Sequence, residues 1–214
     1  MTPKPPKQDR AIRTREKLIS ALERLLRQHE FETISVQDIA REAGVAVGSV
    51  YSHFKDKNAF LEALLSYWRE QVESQLILSE AQNTKAAFQA LGNLKAALRE
   101  AVKAVYAQTG ESGHILRAIH TYTRLHPEAG DDDWQALVVR SFAPFRILFE
   151  IFADEITVTD IDRGVRMLGV FFNTIFIRQA LMPQDTLIEA AGLDDEAMIE
   201  EVTDMAYGYL AMPR

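Results

Sequence analysis

The chain has 214 residues, 47% of them apolar and 26% charged, which supports one large or two small folded domains and excludes general disorder. The absence of cysteine removes disulfides, thiolate zinc sites and cysteine nucleophiles from consideration and fits a cytosolic chain. The net charge of -7 conceals a division: residues 1–69 hold 12 Lys/Arg against 9 Asp/Glu, whereas residues 70–214 hold 12 against 22.

A basic N-terminal module on an acidic body can meet a polyanion with one end and stay soluble through the other. No apolar run is long enough to span a bilayer, and "MTPKPPKQDR" lacks the apolar stretch of a signal peptide, so the expectation is a soluble cytoplasmic protein with no membrane partner.

Residues 1–10, with three prolines, read as a flexible basic arm. From Ala11 the positions Ile12, Arg15 through its stem, Leu18, Ile19, Leu22, Leu25 and Leu26 follow helical spacing and predict a helix with one buried face. A break follows, and then Ser35, with Asp38 three residues on, predicts the cap of a short second helix over 36–43. Gly44 suits the left-handed residue that ends it, with Val45 dropping into the core. A third helix of about two turns starts near Val47.

Asp56 can cap a long fourth helix reaching about residue 79, and helical patterns follow over 85–108, 114–125, 132–152, 160–181 and 194–210. Breaks are expected at "TGESG", "HPEAGDDD", "TVTD" and "MPQD"; "EITVTD" is the one weak strand candidate. The predicted fold class is therefore all-α.

The third helix is unusual in its exposed side. At about 100° per residue, Val50 and Phe54 mark the core side, while Gly48, Ser49 and Ser52 face away, edged by Tyr51 and His53. A face without long side chains lets the helix backbone approach a partner closely, and hydroxyls can donate or accept there. That profile suits a helix in a DNA major groove, with Lys55 and Lys57 placed to neutralise adjacent phosphates.

From "TREKLISAL" through "FETISVQDIAREAGVAVGSVYSHFKDKNAFLEAL" the chain resembles the helix-turn-helix of the TetR family of bacterial transcriptional regulators. The resemblance implies a DNA-binding domain over 11–57, joined by the fourth helix to a larger effector-binding and dimerisation domain over 58–214. It implies phosphate contacts from Ser35 and Gln37, base and backbone contacts from Val47, Gly48, Ser49, Tyr51, Ser52 and His53, and a phosphate held by Lys57. Many members carry Ser-Lys where this chain has Ala46-Val47, so Val47 is left to touch a thymine methyl or to pack.

On this reading the protein is a homodimer that binds a palindromic double-stranded DNA operator and responds to a small apolar or aromatic effector, most simply as a repressor. Activation is the alternative within the family; an all-helical enzyme or a protein-binding scaffold are alternatives outside it. No cofactor is expected. His114, His120 and His126 recur at six-residue intervals, which does not put them on one helical face, so no metal site is expected. No Ser-His-acid order or phosphate-cradling glycine loop points to an enzyme.

Phe142, Phe145, Phe149 and Trp134 give an aromatic-rich helix that either packs a core or walls an apolar effector cavity, to which His120 could contribute. The segment "RGVRMLGVFFNTIFIRQAL" is apolar around much of its circumference, and its glycines permit close helix approach. Gly164, Met167, Leu168, Phe171, Phe172 and Ile175, with Met205 of the last helix, are the expected dimer surface.

Overall fold

The computed structural model describes residues 7–81, 84–127 and 132–213, and every regular element among them is helical. The helices are α1 (Lys7–Leu26), α2 (Val36–Ala43), α3 (Val47–Tyr51), α4 (Ala59–Ala81), α5 (Thr84–Gln89), α6 (Leu94–Leu125), α7 (Asp132–Ser141), α8 (Arg146–Ile151), α9 (Ile161–Phe172), α10 (Arg178–Leu181), α11 (Thr186–Ala191) and α12 (Asp195–Ala211). Among the described residues no helix is long and apolar enough to cross a membrane.

The chain divides into two compact units, residues 1–70 with 114–129, and residues 71–113 with 130–214. Both divisions between Glu70 and His114 fall inside helices, α4 and α6. In the first unit Leu18, Leu22, Ile39, Val50, Phe54, Phe60 and Leu64 are all 3% exposed or less. Phe54 and Phe60 stack with centroids 3.9 Å apart, which anchors the end of α3 against the start of α4.

Several elements depart from the sequence expectations for local reasons. Helix α1 begins at Lys7, so residues 7–10 of the expected arm are its first turn, while the rest of that arm lies outside the described residues. Nothing after Pro6 interrupts a helix, and Asp9 in the first turn complements the dipole. Ile12, assigned to the buried stripe, is 52% exposed.

The predicted break at "TGESG" does not occur, because α6 runs through it. Thr109 donates to the Val105 carbonyl at 2.7 Å, and the apolar face resumes with Ile115, Leu116 and Ile119, all buried. A glycine inside a helix costs about 1 kcal/mol relative to alanine, which this packing offsets. The chain breaks earlier, where Gly92 adopts φ 82° and the Asn93 side chain accepts from Ala96 N at 2.9 Å to start α6.

The helix expected over 132–152 is interrupted at Pro144, which has no N–H to donate. A 3-10 turn at Ala143–Phe145 intervenes, with Phe145 N donating to Phe142 O at 3.0 Å. Between 161 and 181 the backbone stays helical but passes through a π-helical stretch, Asn173–Ile177. Helix α11, absent from the sequence reading, starts on the Asp185 carboxylate, which accepts from Leu187 N at 2.8 Å, and ends at Gly192 with φ 64°. Thr157, in the weak strand candidate, donates from its backbone N–H to Leu210 O at 2.8 Å without forming a strand.

The second unit has its own core, built from Leu94, Leu98 and Val102 of α6, Leu148 and Phe149 of α8, Leu168 and Phe172 of α9, and Val202, Ala206 and Leu210 of α12. Arg99 binds Glu196 and Glu200, and Lys95 meets Asp204 at 2.6 Å, tying α6 to α12. Buried Thr203 satisfies its hydroxyl on Ile199 O at 2.7 Å.

Candidate nucleic-acid interface

Helix α2 is fixed at both ends by local chemistry. The Ser35 hydroxyl accepts from Asp38 N at 3.1 Å, while the Asp38 carboxylate accepts from Ser35 N at 3.0 Å and from the Ser35 hydroxyl at 2.6 Å. Those hydrogen bonds from Ser35, joined by Arg41, hold the Asp38 carboxyl below the usual carboxylate range. At the other end Gly44 sits at φ 67°, ψ 36°, and Val45 N donates to Ala40 O at 3.0 Å. The left-handed residue turns the chain sharply, half-buries Val45, and starts α3 three residues after Gly44.

Helix α3 is short but firmly seated. Val50 is 1% exposed and Phe54 3%, and Phe54 N donates to Val50 O at 2.9 Å, so the helical turn persists beyond Tyr51. The Arg15 guanidinium lies over the Phe54 ring at 5.7 Å, closing the outer edge of this anchor. On the opposite side Gly48 and Ser52 are exposed, Val47, Ser49 and His53 are half-buried, and Tyr51 is 55% exposed. A Cβ built on Gly48 would meet nothing within 4 Å. The geometry thus brings together the α3 residues named from sequence and aims the small ones outward.

Three expected contacts have intramolecular partners. The Ser35 hydroxyl is committed to the capping box, and Ser52 donates to Ser49 O at 2.6 Å. Lys57 is half-buried, its ammonium 3.0 Å from Glu32 O and 4.5 Å from the Phe31 ring centroid. Burial lowers its pKa below the ordinary lysine value, against the opposing effect of Glu32. Lys57 therefore also closes the 3-10 turn Phe31–Thr33 onto the start of α4, and an ammonium has three N–H donors, so one carbonyl does not exhaust it. Lys55 is exposed, 3.9 Å from Asp56, and Gln37 is exposed on α2.

Of the two readings of the aromatic constellation, the structure shows the core packing. Phe142, Phe145 and Phe149 are buried in the core of their unit. The Phe142 ring covers Gly169, where an added Cβ would lie 2.4 Å from it, and the Phe149 ring covers Gly164 at 2.5 Å. Phe145 packs edge-on to Phe172 with centroids 5.2 Å apart. These rings fill space between helices of their own unit. His120 is exposed and belongs to the other unit, and the Trp134 side chain lies outside the described residues.

Part of the expected dimer surface is likewise buried within its own unit. Gly164, Leu168 and Phe172 point into the core of their own unit and have no free face to offer. Met167, Phe171 and Ile175 are half-buried, and Met205 is 45% exposed. Val170, at 52%, and Ile161, at 41%, are the exposed large apolar residues of α9, and neither was among the positions named from sequence.

A long-helix body carrying a capped helix, a left-handed turn and a short, outward-facing helix defines an all-α helix-turn-helix protein. The family model for bacterial regulatory proteins of the tetR family matches residues 18–64, the stretch from within α1 to the first turns of α4. The nucleoid occlusion factor SlmA of Marinobacter nauticus is 33% identical over 82 residues, 37% of this chain; the match spans only 42% of that relative's length. Among solved structures, a TetR transcription regulator from Haloarcula marismortui superposes with TM-score 0.61 at 18% identity, over 92% of this chain and 95% of that one. NalD of Pseudomonas aeruginosa, the secondary repressor of the MexAB-OprM multidrug efflux pump, superposes with TM-score 0.53 at 20% identity, over 95% and 98%.

Proposed function

We propose that this protein is a DNA-binding transcriptional regulator that acts as a homodimeric, ligand-responsive repressor on a palindromic operator. The observation that carries the proposal is α3: held from within by Val50 and Phe54, it turns a face of Gly48, Ser49 and Ser52 outward, edged by Tyr51 and His53. In the major groove that face brings backbone close to the base edges, and Tyr51 and His53 reach the phosphate walls. With no long polar side chain at Ala46 or Val47, sequence choice rests on the hydroxyls, on Val47 against thymine methyls, and on DNA shape.

Two copies present two such helices about 34–36 Å apart to successive turns of one DNA face, which calls for a roughly palindromic site. Val170 and Met205, with half-buried Met167 and Phe171, are the apolar positions on α9 and α12 available for pairing. NalD shares the fold and is a repressor; for this chain repression is the simplest consequence of occupying an operator. A small-molecule effector binding within residues 58–214 releases DNA if it prefers the conformer with misplaced α3 helices, and a near-complete switch needs a preference of about 5 kcal/mol. Helices α4 and α6 each contribute residues to both units and are the route for that shift.

Duplex binding measured across salt tests the reading. Affinity should fall linearly on a log–log plot as counterions are released, and Tyr51→Ala should weaken it about tenfold with an unchanged melting temperature. No binding at low salt, or a salt-independent affinity, rejects the regulator reading. Selecting bound fragments from genomic DNA then gives the operator, and a site without two-fold symmetry rejects the palindromic dimer.

A further inference from the structure

Beside the reading helix, the first unit has a second feature with polyanion chemistry. Arg13, Glu16, Lys17, Ser20 and Arg24 of α1 and Ala43 of α2 line an open groove of about 420 Å³. The α1 residues recur at helical spacing, so they form one continuous stripe along the helix. Their charges are not equally free. Arg24 is committed, its Nε 2.6 Å from Glu42 Oε1, whereas Arg13 and Lys17 are exposed and without hydrogen-bond or ion-pair partners among the described residues. Two uncommitted cations one turn apart and a half-buried Ser20 therefore share the groove with one carboxylate, Glu16.

We infer that this groove seats a phosphate of the DNA backbone beside the half-site read by α3, extending the interface onto α1. The inference rests on the proposed DNA binding and adds a site to it. Ala43, in the groove wall, precedes Val47 by four residues, so the groove floor lies within about 14 Å of the first residue of α3. The major groove is about 12 Å wide, and a duplex whose base edges rest on α3 carries its backbone walls on either side at that scale. Arg13 and Lys17 supply the neutralising charge, and the Ser20 hydroxyl can donate to a phosphate oxygen. Glu16 opposes binding and keeps the groove from holding anions without the rest of the interface.

The test uses the full-length protein and duplex DNA over a range of salt, with R13Q/K17Q, Glu16→Gln and Arg24→Gln beside wild type. Removing Arg13 and Lys17 should reduce the slope of log affinity against log salt by about one, for the one phosphate they share, and lower affinity at least tenfold near 0.1 M salt. Glu16→Gln should raise affinity a few fold, a gain that a purely structural role for this stripe does not give. Arg24→Gln should leave the slope within about half a unit of wild type.

Unchanged slopes in R13Q/K17Q, with wild-type DNA binding intact, overturn the α1 site and leave the α3 reading standing. Loss of DNA binding in wild type overturns both. A third arm titrates inorganic phosphate without DNA: saturable binding that R13Q/K17Q abolishes, with the DNA slope unchanged, assigns the groove to a free anion and overturns the backbone assignment.

Discussion

Two helices in this chain carry small residues on one face, for opposite reasons. On α9 an added Cβ at Gly169 would lie 2.4 Å from the Phe142 ring and one at Gly164 2.5 Å from the Phe149 ring, so the glycines exist because the chain itself already occupies the space. On α3 a Cβ at Gly48 would meet nothing within 4 Å. The first face is small to suit a partner within its own unit; the second is small although, among the described residues, nothing lies within 4 Å of a Cβ at Gly48. Helical Gly110 and Gly208 meet nothing either, so the open space at Gly48 supports the proposed groove contact only together with exposed Tyr51 and Ser52 beside it.

The sharpest way to break this contrast is at Gly169. Gly169→Ala forces Phe142 out of a buried position, and overpacking of this kind costs about 1–3 kcal/mol. For a chain of this size each kcal/mol lowers the melting temperature by about 2–4 °C. Thermal unfolding followed by circular dichroism checks it; a wild-type melting temperature would mean that the Phe142–Gly169 contact yields freely and that the α9 face is not close-packed.

The opposite sign is expected at Gly48. Its backbone is ordinary helix, so alanine should stabilise the fold by about 0.4–1 kcal/mol, chiefly by restricting the unfolded chain. The same methyl stands between α3 and the groove floor, so DNA affinity should fall while the melting temperature rises. Parallel melting and DNA-titration curves decide: loss of stability would reveal a neighbour for Gly48, and unchanged affinity would show that close approach is not required there.

How much of this was legible in the sequence depended on whether the cause was local. Ser35, Asp38 and Gly44 mark the ends of α2 within ten residues, and Val50 and Phe54 mark the inside of α3 by spacing alone. Gly92 and Gly110 were ranked the wrong way round, since Gly110 lies in a run of small and polar residues while Gly92 sits between Leu91 and Leu94 in an apolar helical pattern. Only Gly92 adopts a positive φ, while Gly110 is carried through by the packing of α6 on either side of it. Helix α11 buries none of its residues and so left no apolar stripe to read.

The site residues divide the same way. Tyr51 and Ser52 are exposed as their helical phase requires, but Lys57 meets a carbonyl 25 residues away in sequence, which no periodicity reveals. The aromatic stripe at Phe142, Phe145 and Phe149 was compatible with both core and cavity until its glycine partners on α9 were located. The expected pairing surface is only partly exposed for a related reason: an apolar circumference does not say which side its own unit has already used.

The smallest expected effect lies on a buried polar residue, where the comparison between occupied and open faces becomes a matter of protons. His114 on α6 is 8% exposed, and its Nε2 lies 3.7 Å from Glu23 Oε1 on α1 without a hydrogen bond. Glu23 also accepts from Arg27 at 3.1 Å and from the Tyr67 hydroxyl at 3.4 Å, and Arg117 adds a second cation near the imidazole. Burial first, then Arg27, lowers the His114 pKa below its ordinary value, with Glu23 pulling the other way. The unfolded chain takes up this proton near pH 6.5, while the folded protein resists it. The His114 contribution to stability is therefore complete above about pH 6.5 and declines as pH falls from there toward the depressed folded-state value. Urea unfolding between pH 8 and pH 5 should show that decline, and His114→Gln should flatten it while leaving the Gly169 contact untouched. An equal decline in His114→Gln would place the titrating group elsewhere and leave the interior of the first unit without a proton-sensitive contact.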